Sequence, residues 1–87
     1  MITKEIILRN ESGLHARPAT EIAKSAAKYS CSIKFDVKGT AYNAKSVLNI
    51  MSAGIKNNTQ IKIVCDGTDE DQAMTDLINI FEENSLL

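Results

Sequence analysis

Asn10-Glu11-Ser12-Gly13-Leu14-His15-Ala16-Arg17-Pro18-Ala19-Thr20 decides how the chain is read, because a polar loop becomes a helix within these few residues. The stretch holds the only His and the only Pro among 87 residues, with one of the two Arg between them. Downstream, Ile22, Ala23, Ala26 and Ala27 recur at three- and four-residue spacing, which predicts a helix reaching about Lys28. Pro suits a first helical turn, since its fixed φ fits and its missing N–H has no partner to lose there. It also restrains the residue before it away from the α region. The spacing therefore leaves the helix start open between Ala16 and Pro18.

An imidazole just ahead of a helix has a chemical meaning. First-turn N–H groups have no partner inside the helix, and the dipole adds partial positive charge, so the place suits an anion. The N–H groups of Ala16, Arg17 and Ala19 are the candidates, Pro18 having none. Gly13 permits positive φ and close backbone approach just before the ring. His can act as a nucleophile, and Arg17 offers a planar fork to phosphate oxygens. Together these residues suit the holding or passing of a phosphoryl group. The plainer alternative is an exposed loop His followed by a Pro that merely starts a helix.

Working outward, residues 2–8 read as a strand with Ile6 and Leu8 inward, Ile2 alongside them and Lys4 snorkelling at the edge. Ile33, Phe35 and Val37 alternate with Lys34 and Asp36 over residues 32–37, a half-buried strand. Lys38-Gly39 is a tight turn into a short strand, Thr40 to Asn43. Ser46 opens a short helix ending near Ala53, with Gly54 at the left-handed stop position. Gln60 to Cys65 is the next strand, with Ile61, Ile63 and Cys65 inward. Asp69 or Thr68 caps a last helix whose apolar stripe is Ala73, Met74, Leu77, Ile80 and Phe81. The order β-α-β-β-α-β-α predicts one α+β domain over residues 1–87, an open-faced sandwich of four strands with three helices on one face.

Bulk properties narrow the function. With 44% hydrophobic and 24% charged residues the composition is that of a soluble globule. A chain of this length buries about 60–65% of its unfolded surface, so its core is modest. There is neither an apolar run long enough to span a membrane nor a secretory pattern, which leads us to expect a cytoplasmic protein with Cys31 and Cys65 reduced. Two Cys and one His do not form a zinc pattern of familiar spacing, and no metal or cofactor is expected. Residues 1–45 carry eight Lys and Arg against four Asp and Glu, and residues 46–87 two against seven, net +4 and −5. A positive half around His15 favours acidic partners. Few aromatics and scattered Lys and Arg argue against direct nucleic-acid binding.

Ser12-Gly13-Leu14-His15-Ala16-Arg17-Pro18-Ala19 resembles the active-site signature of the histidine-containing phosphocarrier (HPr) family of the bacterial phosphoenolpyruvate:sugar phosphotransferase system. Asn43 to Gly54 resembles the family's regulatory segment, with Ser46 at the start of the second helix, and the likeness covers the whole chain. The resemblance implies an antiparallel sheet. It implies a carrier rather than an enzyme: His15 takes a phosphoryl group on Nδ1 from enzyme I and hands it to sugar-specific IIA domains. Ala16, Arg17 and Ser12 would then hold the phosphoryl oxygens. Ser46 has two readings, a plain N-cap or a phosphorylation site for an HPr kinase/phosphorylase, linked to a catabolite-control transcription factor. Val47, Leu48 and Met51 cannot all be buried on so short a helix, and with Thr20 they form an expected docking surface. Asn49 departs from the Gly often found there in the family. A monomer is expected. A regulatory paralogue acting through phosphorylated Ser46 is the alternative, and the intact His15 speaks against it.

Overall fold

In the computed structural model, which describes residues 1–87, period-two alternation sets the sheet. β2 (Ser32–Val37) buries Ile33, Phe35 and Val37, and β4 (Gln60–Asp66) buries Ile61, Ile63 and Cys65. Their partners in alternation, Lys34 and Lys62 among them, face solvent. A one-residue slip would turn these rows inside out, so burial of one face fixes the register. β1 (Ile2–Ile7) pairs with β4, and β3 (Thr40–Asn43) pairs with β2. The order is β1-β4-β2-β3 and every pairing is antiparallel. The open-faced α+β sandwich expected from the element order is the observed fold.

Three helices cover the buried face. α1 (Ala16–Ala26) lays Ile22, Ala23 and Ala26 inward, and the small Ala side chains bring it close to its neighbours. It stops short of Lys28 because the N–H groups of Lys28 and Tyr29 donate to Ser25 and Ala26, tightening the last turn. α2 (Val47–Ser52) buries only Ile50. α3 (Glu70–Glu83) buries Ala73, Met74, Leu77, Ile80 and Phe81, the stripe read from its spacing. Phe35 and Phe81 meet at the centre with ring centroids 6.0 Å apart and tilted by 55°. Each such fully buried side chain stabilises the fold by about 1.5–3 kcal/mol.

Asp69 stands at the N-cap of α3, as anticipated, but its carboxylate does not cap. It accepts the N–H groups of Ser30 (2.8 Å) and Cys31 (2.9 Å), tying the α1–β2 connection to the base of α3. These amides hold the Asp69 carboxyl below the usual range, Ser30 contributing most. Glu70 accepts the Gly67 N–H at 3.0 Å, fastening the turn that leads into α3 rather than capping it. The end of the chain is also fastened: Leu86 is buried, and its carbonyl accepts the Arg9 N–H at 2.7 Å. No helix is long and apolar enough to cross a membrane.

Candidate functional site

The loop before α1 is built to hold one residue. The Asn10 carbonyl accepts the Gly13 N–H at 2.9 Å, and the Asn10 side-chain oxygen accepts the Ser12 N–H at 2.9 Å. These two bonds close a tight turn that the Asn10 side chain stabilises locally. The Asn10 N–H is itself fastened to Asn57 Oδ1 at 3.0 Å. Gly13 has φ +66°, and a Cβ there would lie 2.5 Å from the Ile55 carbonyl oxygen. That same oxygen accepts the Leu14 N–H at 2.9 Å. Only Gly allows the loop to lie this close to the segment following α2.

Leu14 is buried on one side, and Pro18 and Ala19 are buried on the other. Between these anchors His15, Ala16 and Arg17 are exposed. His15 is the N-cap residue of α1 (φ −87°, ψ −177°), so the helix starts at Ala16 and Arg17 is helical despite the following Pro. Ala16 and Arg17 present first-turn N–H groups that no earlier helical carbonyl can accept. Ala19 does not join them, because its N–H already donates to the His15 carbonyl at 3.1 Å. The amide set expected from the sequence thus loses Ala19 and keeps two donors.

The imidazole Nδ1 lies 3.4 Å from the Gly13 carbonyl oxygen. A carbonyl only accepts, so this long contact suits the tautomer with hydrogen on Nδ1 and leaves the lone pair on Nε2. Attack by Nδ1 requires the ring to swing off Gly13 and to exchange its proton so that the hydrogen sits on Nε2. The Ser12 side chain is exposed beside this turn. The Thr20 hydroxyl donates back to the Ala16 carbonyl at 2.7 Å and is thereby partly engaged. Arg17 forms no ion pair; it shares a shallow groove with Thr20, Glu21, Lys24 and Asn84.

Across the loop, α2 carries the second set of expected residues. Ser46 is its N-cap, and the hydroxyl oxygen accepts the Asn49 N–H at 3.2 Å. Leu48 is 83% exposed and Met51 40%, whereas Val47 is half-buried against the core. Asn49 takes a structural role that sequence reasoning missed: its Oδ1 accepts the Asn43 N–H at 2.6 Å, latching α2 to the end of β3. Ile55, Asn57 and Asn84 were likewise missed, since they reach the site through contacts 41 to 63 residues distant in sequence. Cys31 and Cys65 lie in the core as free thiols, and burial pushes Cys65 up to about 11.

An antiparallel four-stranded sheet backed by three helices, with one exposed imidazole at the mouth of the first, defines the class of open-faced α+β sandwiches that present a single His at a helix N-terminus. The comparisons identify which. The family model for the PTS HPr component phosphorylation site matches residues 2–83. The chain is 36% identical over 84 residues to the phosphocarrier protein HPr of Mycoplasma pneumoniae, covering 95% of this chain and 96% of that one. A solved Mycoplasma histidine-containing phosphocarrier protein superposes with TM-score 0.96 at 36% identity, covering 99% and 98% of the two chains. An HPr dimer from Thermoanaerobacter tengcongensis matches with TM-score 0.76 at 35% identity over 91% of each chain. The chain belongs to the HPr family, the phosphocarriers of the phosphotransferase system.

Proposed function

We propose that His15 carries the phosphoryl group, taking it from phosphorylated enzyme I and passing it to sugar-specific IIA domains. The ring Nδ1 leaves Gly13, its proton is lost to solvent while Nε2 takes one up, and the Nδ1 lone pair so freed attacks phosphorus as the bond to the donor breaks. The amides of Ala16 and Arg17 and the Arg17 guanidinium hold the phosphoryl oxygens, with the Ser12 hydroxyl as a further donor. The observation that carries this reading is the exposed His15 held as N-cap between buried anchors, followed by two unpaired helical amides. The bonds on offer are few and solvent-exposed, which suits a group that must be released again.

In this proposal Ser46 is a regulatory phosphorylation site for an HPr kinase/phosphorylase. A phosphate at the α2 N-terminus meets a favourable dipole, so it alters the charge seen by partners without unfolding the helix. Leu48 and Met51, the exposed apolar side chains of α2, then form the docking patch, with Val47 contributing an edge and Thr20 the facing part of α1. The catabolite-control transcription factor would be met through the same surface. The protein works as a monomer in the cytoplasm, where the two free thiols stay reduced.

The test is incubation with enzyme I and labelled phosphoenolpyruvate. His15→Ala is expected to fold and to take no label, and Arg17→Ala to take it more slowly. Full labelling of folded His15→Ala would end the assignment.

A further inference from the structure

On α1, Glu21 lies four residues after Arg17 and three before Lys24, and all three line one groove. Residues at these separations are neighbours on a helix face, close enough for their charges to pair. Yet Glu21 forms a salt bridge with neither. Its Oε2 instead accepts a hydrogen bond from Asn84 Nδ2 at 3.0 Å. Asn84 is well placed to hold it. It is the C-cap residue of α3, and its Nδ2 also donates to the Ile80 carbonyl at 2.8 Å. Just beyond, the buried Leu86 and its bond to Arg9 fix the chain end.

We propose that Asn84 is a positioning residue for phosphoryl transfer: it holds the Glu21 carboxylate toward α3 and so keeps the Arg17 guanidinium unpaired for the phosphoryl oxygens. A neutral amide does this without adding charge to the groove. When Asn84 is removed, Glu21 is free to swing along α1 and compete with the phosphoryl group for Arg17. This rests on the role given to Arg17 under the proposed function.

The experiment measures phosphoryl acceptance from enzyme I and labelled phosphoenolpyruvate in a set of folded variants. Asn84→Ala should lower kcat/KM about two- to threefold, the population shift that an exposed i,i+4 ion pair produces. The loss should shrink at high salt, where such a pair is screened. Adding Glu21→Gln to Asn84→Ala should restore the rate, because no carboxylate is left to compete. In an Arg17→Ala background, Asn84→Ala should have no further effect. An unchanged rate in Asn84→Ala, or a loss that Glu21→Gln does not repair, would overturn the inference while leaving the carrier reading intact. If Arg17→Ala itself transfers at the parent rate, the role of Arg17 fails and the inference fails with it. If the parent chain takes no label, it is the carrier reading that fails.

Discussion

Gly13→Ala puts the construction of the site to a quantitative test. A non-Gly residue at φ +66° pays the left-handed penalty, about 1–2 kcal/mol. The new Cβ would also stand 2.5 Å from the Ile55 carbonyl oxygen, which belongs to backbone and cannot rotate away. The loop must lift, and the Leu14 N–H···Ile55 O bond goes with it, worth about 0.5–1.5 kcal/mol. The total is about 1.5–3.5 kcal/mol, which for a domain of this size lowers Tm by roughly 6–28 °C. Gly54→Ala is the matched control, having φ +59° and nothing within 4 Å of its Cβ, so it should carry only the backbone penalty. Urea denaturation of both variants measures the difference, and amide exchange at Leu14 reports whether the loop has lifted. Equal destabilisation of the two variants would refute the claim that close approach to Ile55 is what demands Gly at position 13.

Three other outcomes follow from the geometry. The Asp69 carboxyl is held below its ordinary value of 3.8 in the fold, so its stabilising contribution is present above that value and disappears as pH falls through the depressed one. Asp69→Asn should therefore lower stability at neutral pH and flatten the acid limb of a urea-midpoint profile; an unchanged limb would contradict the clamp on Ser30 and Cys31. Ser46→Ala removes the bond from the Asn49 N–H and should cost about 1 kcal/mol, whereas Ser46→Asp should keep most of the stability; equal losses in both would argue against capping. Burial keeps both thiols protonated at neutral pH, Cys65 most strongly, so a thiol reagent at pH 8 should label the native chain only as fast as it opens. Immediate labelling would show a core looser than described.

Elements whose pattern is local could be read before any coordinates. The alternation in β2 and β4 and the five-residue stripe of α3 all point to the faces they occupy. Those faces are set by period alone, and no neighbour had to be known. The His15 loop was legible for the same reason, since Gly, His and Pro act on adjacent backbone. Contacts between distant segments were not. Nothing near Asp69 distinguishes a cap from a clamp on Ser30, because the same carboxylate serves either. The withdrawal of the Ala19 amide depends on His15 adopting N-cap geometry, which fixes where its carbonyl points. The Asn84–Glu21 bond joins residues 63 apart, with no periodicity to announce it. Burial of Leu14, Ile55 and Leu86 in irregular segments likewise follows from packing, not from local pattern.

The central claim concerns a single ring nitrogen, so the most direct measurement is NMR of the chain after reaction with enzyme I and phosphoenolpyruvate. The phosphorylated chain should show one phosphorus signal coupled to His15 Nδ1, together with shifts of the Ala16 and Arg17 amides and no change at Ala19 beyond that of its neighbours. A phosphoryl group found on any other side chain, or on His15 with the Ala16 and Arg17 amides undisturbed, would contradict it.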